Sequence, residues 1–213
     1  MLNKKKIEKV IDRAHAQGYG FIPRGRRLSI VAKTWAIRCD TDVLPVTAAL
    51  KVVKDAGYLP GAPMKLQASA ENQPMLEEMA LESENNLWTF DAPDSYLKMK
   101  KIPVIFKDRW QLYQTENGDI YAFDTELLAM IDFAAVTPDA YISVDMPVGV
   151  WVNDRISTLV YIAPGRFSAE DSEKIIHLEK YDWARQTDYS DSAVNISLFD
   201  NDDDVPVPEK TEE

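Results

Sequence analysis

What this chain lacks narrows its chemistry quickly. Its 213 residues hold a single cysteine, Cys39, and only two histidines. One thiol excludes an internal disulfide and any zinc site built from several cysteines, and it points to a reducing, cytoplasmic compartment. Apolar runs extend for a few residues against the ~20 needed to cross a bilayer, so no membrane association is expected. No apolar stretch follows the basic residues Lys4, Lys5 and Lys6, so no secretory leader is expected either.

The motifs of common enzymes are also missing. The chain has no Gly-x-x-x-x-Gly-Lys phosphate loop and no Gly-x-Ser-x-Gly nucleophile elbow. Its one glycine-rich stretch, Gly18 to Gly25, has the wrong spacing for a dinucleotide fingerprint and places Pro23 at the third-glycine position. Pro93-Asp94 begins like a nuclease signature, but no Asp-x-Lys or Glu-x-Lys follows. His15 and His177 each stand alone on a predicted helix, and no His-x-x-x-His pair exists for a metal. No catalytic residue, metal or cofactor is therefore assigned. Acidic pairs such as Asp91/Asp94 and Asp124/Glu126 leave a carboxylate-based enzyme as an alternative.

What is present is an ordinary globular composition, 46% hydrophobic and 28% charged, with an uneven distribution of charge. The formal net charge is −11. Residues 1–66 carry 13 Lys and Arg against 5 Asp and Glu, a net of +8. Residues 67–185 carry 10 against 21, and residues 186–213 carry 1 against 9. The expected organisation is thus a basic helical region (1–66), an acidic α+β body (67–185) and a disordered acidic tail (186–213).

Periodicity gives the elements. Ile7, Val10, Ile11 and Ala14 repeat at helical spacing, so Lys4 to Gln17 reads as an amphipathic helix stopped at Gly18. Leu28 to Cys39 fits both a helix and a strand, and the stripe of Leu28, Val31, Ala32, Trp35 and Cys39 favours helix. Val46 to Ala56 reads as a helix with Pro45 in its first turn and Ala49, Leu50 and Val53 inward. Pro74 to Glu84 also reads as a helix. Further on, Asn117-Gly118 between alternating apolar runs is a hairpin signal, followed by strands at Tyr141–Val144, Val148–Val152 and Ile156–Ile162. Thr125–Phe133 is read as a short helix capped by Asp124, and Ser168 opens a final helix to about Asp182. The expected fold is α+β, a four-to-six-stranded antiparallel sheet with helices on one face.

The candidate sites follow from charge. Lys4, Lys5, Lys6, Lys9, Arg24, Arg26, Arg27, Lys33 and Arg38 form the basic clusters that phosphate neutralisation requires. Three helices in about 60 residues would suit a helix-turn-helix unit whose third helix carries Lys51 and Lys54. That helix has no Arg, Asn or Gln for base edges, so non-specific phosphate contact is the expected mode. In the tail, Asn195-Ile196-Ser197-Leu198-Phe199 precedes a run of aspartates. This pentapeptide resembles the short linear motif by which bacterial replication and repair proteins bind the sliding clamp. Ser197, Leu198 and Phe199 match that motif, while Asn195 stands where it has Gln and Ile196 where it has Leu. The resemblance implies a protein partner, bound through Asn195, Ile196, Leu198 and Phe199. The functional expectation is a non-enzymatic interaction protein of bacterial or mobile-element nucleic-acid metabolism. An acidic decoy that imitates nucleic acid toward a basic enzyme is the alternative to it.

Overall fold

The computed structural model describes residues 1–69, 74–79, 95–144, 147–153, 157–180 and 194–195. The chain is mostly sheet. Hydrogen bonds join eleven strands in the order β5 (Pro74–Glu78), β4 (Met64–Ala68), β1 (Tyr19–Arg24), β2 (Arg27–Val31), β3 (Trp35–Asp40), β11 (Thr158–Ile162), β10 (Gly149–Val152), β9 (Asp139–Ser143), β6 (Tyr96–Phe106), β7 (Trp110–Thr115), β8 (Ile120–Asp124). Neighbours pair antiparallel from β5 through to β6, and β7 pairs antiparallel with β8. This overturns the expected four-to-six-stranded sheet. The shortfall lies in segments read as helix. Leu28 to Cys39 is a hairpin of β2 (Arg27–Val31) and β3 (Trp35–Asp40), and β5 (Pro74–Glu78) replaces the helix expected from Pro74. With strands at these positions, the helix-turn-helix arrangement is excluded as well.

The helical stripe at 28–39 was one of two patterns that fit those residues. Leu28 and Ile30 on β2, and Trp35, Ile37 and Cys39 on β3, also alternate, and all five are buried. The β-branched residues suit the pleated form, and pairing of β2 with β1 and of β3 with β11 selects it.

The chain divides into two compact units. The first comprises Met1–Met99 and Glu126–Pro164, and the second Lys100–Thr125 and the chain from Gly165. Within the first unit, α1 (Lys4–His15) leads into β1 (Tyr19–Arg24), β2 and β3, and α2 (Val46–Ala56) leads into β4 (Met64–Ala68) and β5. β9 (Asp139–Ser143), β10 (Gly149–Val152) and β11 (Thr158–Ile162) follow α3 (Thr125–Leu128), a single turn where a longer helix was expected. One cross-strand row runs Phe21, Ile30, Ile37, Val160, Trp151, Ala140, Met99. All seven are buried. Burial of each large side chain in such a row contributes about 1.5–3 kcal/mol. Tyr19 lies two residues before Phe21, hence on the same face, and its hydroxyl reaches α2. The expected layout, a small sheet with helices on one face, is overturned: the helices are few and short beside an eleven-stranded sheet.

The second unit holds the later part of β6 (Tyr96–Phe106), then β7 (Trp110–Thr115), β8 (Ile120–Asp124) and α4 (Ala169–Glu179). The Asn117-Gly118 hairpin is found where the sequence placed it, pairing Gln114 with Ile120, with Gly118 at φ 96. Ile102, Val104, Phe106, Leu112 and Ala122 pack with Ile175 and Leu178 of α4. Ser168 caps α4 by accepting from the Asp171 amide at 3.2 Å. Gly165 is required where it stands, because a Cβ there would lie 2.7 Å from the Trp110 ring. A two-residue strand, β12 (Val194–Asn195), pairs in parallel with Val104 and Ile105. The expected Asn153-Asp154-Arg155 turn lies largely outside the described residues. Among the described residues, no helix is long and apolar enough to cross a membrane.

Candidate nucleic-acid interface

α1 starts against electrostatic preference. Asn3 caps it, its side chain accepting from the Lys6 amide, but the first turn carries Lys4, Lys5 and Lys6 and no acid. The positive end of a helix disfavours nearby cations by about 0.3–1 kcal/mol each. Nothing in the packing offsets this, since all three lysines are exposed. The buried side of α1 is the expected one: Ile7, Val10, Ile11 and Ala14.

α2 departs from expectation. Ala48, Val52 and Ala56 are its buried apolar residues, whereas Leu50, expected inward, is 61% exposed. The helix is rotated so that Lys51 and Asp55 also turn inward, at 8% and 3% exposure. Those two charges pair with each other at i, i+4 and with Asp12, Tyr19 and His15, which are distant along the chain. Lys51 Nζ lies 2.5 Å from Asp55 Oδ1 and 2.9 Å from Asp12 Oδ1 of α1. The Tyr19 hydroxyl donates to Asp55 Oδ2 at 2.9 Å, and His15 Nδ1 is 3.3 Å from Asp55 Oδ1.

The ionisation of these groups follows from that packing. The hydrogen bond and charge of Lys51 hold the Asp12 carboxyl below its ordinary value. Burial opposes the charge on Lys51, yet hydrogen bonds to Asp55 and Asp12 outweigh it and raise the ammonium above its usual range. Burial beside the Asp55 carboxylate raises the Tyr19 phenol, which stays protonated as a donor. Buried ion pairs of this kind hold geometry more than they add stability. Here they lock α1 to α2, helped by Thr47 Oγ1 donating to the Lys4 carbonyl.

Between the helices lies a groove of about 600 Å³, lined by Lys5, Glu8, Lys9 and Asp12 of α1 and Thr47, Leu50, Lys51 and Lys54 of α2. Lys51 forms its floor, and Lys5, Lys9 and Lys54 are exposed around it. The structure therefore brings Lys5 and Lys9 of the predicted cluster beside Lys51 and Lys54, which the sequence had placed on a reading helix, while Lys4 and Lys6 do not line the groove.

The remaining predicted cations lie elsewhere. Arg24, Arg26 and Arg27 sit at the β1–β2 turn around Gly25, with Arg27 3.9 Å from Asp40. Lys33 lies in the β2–β3 turn, at the other end of a five-residue strand and so about 17 Å from those arginines. Arg38 pairs with Ser29 and Leu159 in the row adjacent to Ile37, on the face opposite Ile37. Asn195 pairs with Ile105 through its backbone, and Ile196, Leu198 and Phe199 lie outside the described residues.

The candidates for other chemistry are placed as follows. Cys39 is buried, and desolvation pushes its thiol up to about 12, too high for a nucleophile at neutral pH. Asp124 accepts from Arg109 at 2.6 Å, and Glu126 pairs with Arg13. Asp91 and Asp94 lie outside the described residues. His177 Nδ1 lies 3.2 Å from Lys180 Nζ on α4. Among the described residues no group of three or more His, Cys, Asp or Glu is placed to hold a metal ion.

No protein-family model matches the chain, and no curated protein matches it. Among solved structures it is similar to the crystal structure of a DNA polymerase III beta chain from Streptococcus pneumoniae TIGR4, at 9% identity and a TM-score of 0.30. That match covers 80% of this chain and 66% of the other, just under two thirds of its length. A likeness this slight assigns neither fold nor function.

Proposed function

We propose that this chain is a non-enzymatic protein of nucleic-acid metabolism that grips the phosphate backbone, without reading sequence, through the α1–α2 groove. One observation carries the reading: Lys5 and Lys9 on one wall and Lys54 on the other are exposed around a groove whose floor is a fourth lysine. Glu8 and Asp12 line the same groove, and the charge of Lys54 acts on Asp12, whose own close ion pair is with the floor lysine. Lysine is a point charge suited to phosphate rather than to base edges, so affinity without sequence preference is the expected behaviour. Lys4 and Lys6 extend the same charge around the start of α1. Arg24, Arg26, Arg27, Lys33 and Arg38 contribute to the general attraction of the basic third for polyanions. The acidic C-terminal segment serves a different partner, a protein bound through Asn195, Ile196, Leu198 and Phe199.

Fluorescence anisotropy of the full chain with a labelled oligonucleotide at low salt tests the first part. Binding indifferent to sequence and weakened at least tenfold in Lys5→Gln/Lys9→Gln/Lys54→Gln supports it. Absence of binding, or binding untouched by the three changes, contradicts it. Binding of the full chain to a purified bacterial sliding clamp, lost in Leu198→Ala/Phe199→Ala, tests the second.

A further inference from the structure

α2 is apolar on two sides. Ala48, Val52 and Ala56 face the sheet, and a second stripe at i, i+3, i+4 and i+7 (Val46, Ala49, Leu50, Val53) does not. Val46 is 73% exposed, and Ala49 and Val53 are half-buried. Beyond the helix stop at Gly57, Tyr58 is 50% exposed and Leu59 is exposed too. A helix in contact only with water keeps its outward face polar, as α1 does. α2 does not, and its outward apolar residues adjoin the lysines: Leu50 and Lys54 are one turn, about 6 Å, apart and line the same groove.

We infer that the α1–α2 groove takes single-stranded in preference to duplex nucleic acid; this rests on the phosphate-binding reading above. A duplex presents phosphate and sugar outward and keeps its base faces stacked inside, so Val46, Leu50 and Tyr58 would gain nothing from it. A single strand offers each phosphate with an unstacked base beside it. A cationic groove with Leu50 on its wall, and with exposed Val46 at the start of the same helix and Tyr58 just past its end, offers that repeating pair of chemistries. Lys5, Lys9 and Lys54 hold the phosphates, Leu50 and Val46 cover base faces, and Tyr58 provides a ring for stacking.

The test uses the full chain, a labelled oligothymidylate and a mixed-sequence duplex carrying the same number of phosphates, at one salt concentration. Single-strand binding at least tenfold tighter, with the ratio of single-strand to duplex affinity falling to about one in Leu50→Ala/Tyr58→Ala, is the expected result. Both residues are exposed, so the variant keeps its fold, which circular dichroism and melting verify. Equal affinities, or tighter duplex binding, overturn the inference and leave the phosphate reading standing. A single-strand preference that survives the double change overturns the assignment to this stripe. No binding of either probe overturns both readings together.

Discussion

Lys51 and Lys54 lie three residues apart on α2 and occupy opposite environments. Lys51 is nearly inaccessible, with Asp55 and Asp12 around its ammonium group, while Lys54 projects into solvent beside the groove. The first is part of the scaffold, since a buried ammonium is tolerable only with its carboxylates in place. The second has no structural duty and is available to a ligand. Charge in a basic segment is thus of two kinds, and only burial separates them. The same division runs through α1, where Asp12 serves the floor and Lys5 and Lys9 the rim.

The most direct way to break this comparison is at the floor. Asp55→Ala leaves Lys51 buried with Asp12 alone and removes the acceptor of the Tyr19 hydroxyl. The expected loss is about 3–5 kcal/mol of unfolding free energy, read by urea denaturation. A loss below about 1 kcal/mol would show that the network carries no structural weight. Replacing the pair together, as Lys51→Met/Asp55→Leu, is expected to cost less than the two single changes combined.

A smaller effect comes from pH. Lys51 is raised above its ordinary value, so its contribution is complete below about pH 10 and is lost as pH climbs through the folded value. Asp12 is lowered, so its contribution is complete above about pH 5 and is lost as pH falls. Melting temperature should therefore fall off at both ends of a plateau between these limits. The alkaline decline should shrink in Lys51→Met, and an unchanged decline would dissociate it from Lys51.

The smallest effect sharpens the comparison from the other side. Lys5→Gln, Lys9→Gln and Lys54→Gln, alone or together, should destabilise the fold by no more than about 0.5 kcal/mol, as exposed substitutions do. Loss of the Lys5 charge from the positive end of α1 should act in the stabilising direction. A larger destabilisation would place the rim lysines in the scaffold.

The sequence makes some of this legible. α1 is plain from Ile7, Val10, Ile11 and Ala14, because a single apolar stripe admits one orientation. The hairpin at Asn117-Gly118 and the Ser168 cap are equally plain, being set by neighbours within a few residues. α2 is ambiguous because it has two apolar stripes, and side-chain size favoured the wrong one. The smaller Ala48 and Ala56 let the helix lie close to the sheet, and the Asp55 carboxylate finds Tyr19 and His15, which are 36 and 40 residues away along the chain. Partners at that distance leave no periodic trace. Residues 28–39 failed for a related reason: two periods fit, and only pairing with β1 and β11 selects one.

The central claim, that the rim lysines are a phosphate-binding surface, is tested most directly by the salt dependence of oligonucleotide affinity. The logarithm of the association constant falls linearly with the logarithm of salt concentration, by about 0.7–0.9 for each phosphate neutralised. In Lys5→Gln/Lys9→Gln/Lys54→Gln that slope should be shallower than in the unaltered chain by about 2 to 3. An unchanged slope would place the phosphate contacts elsewhere on the molecule and contradict the assignment.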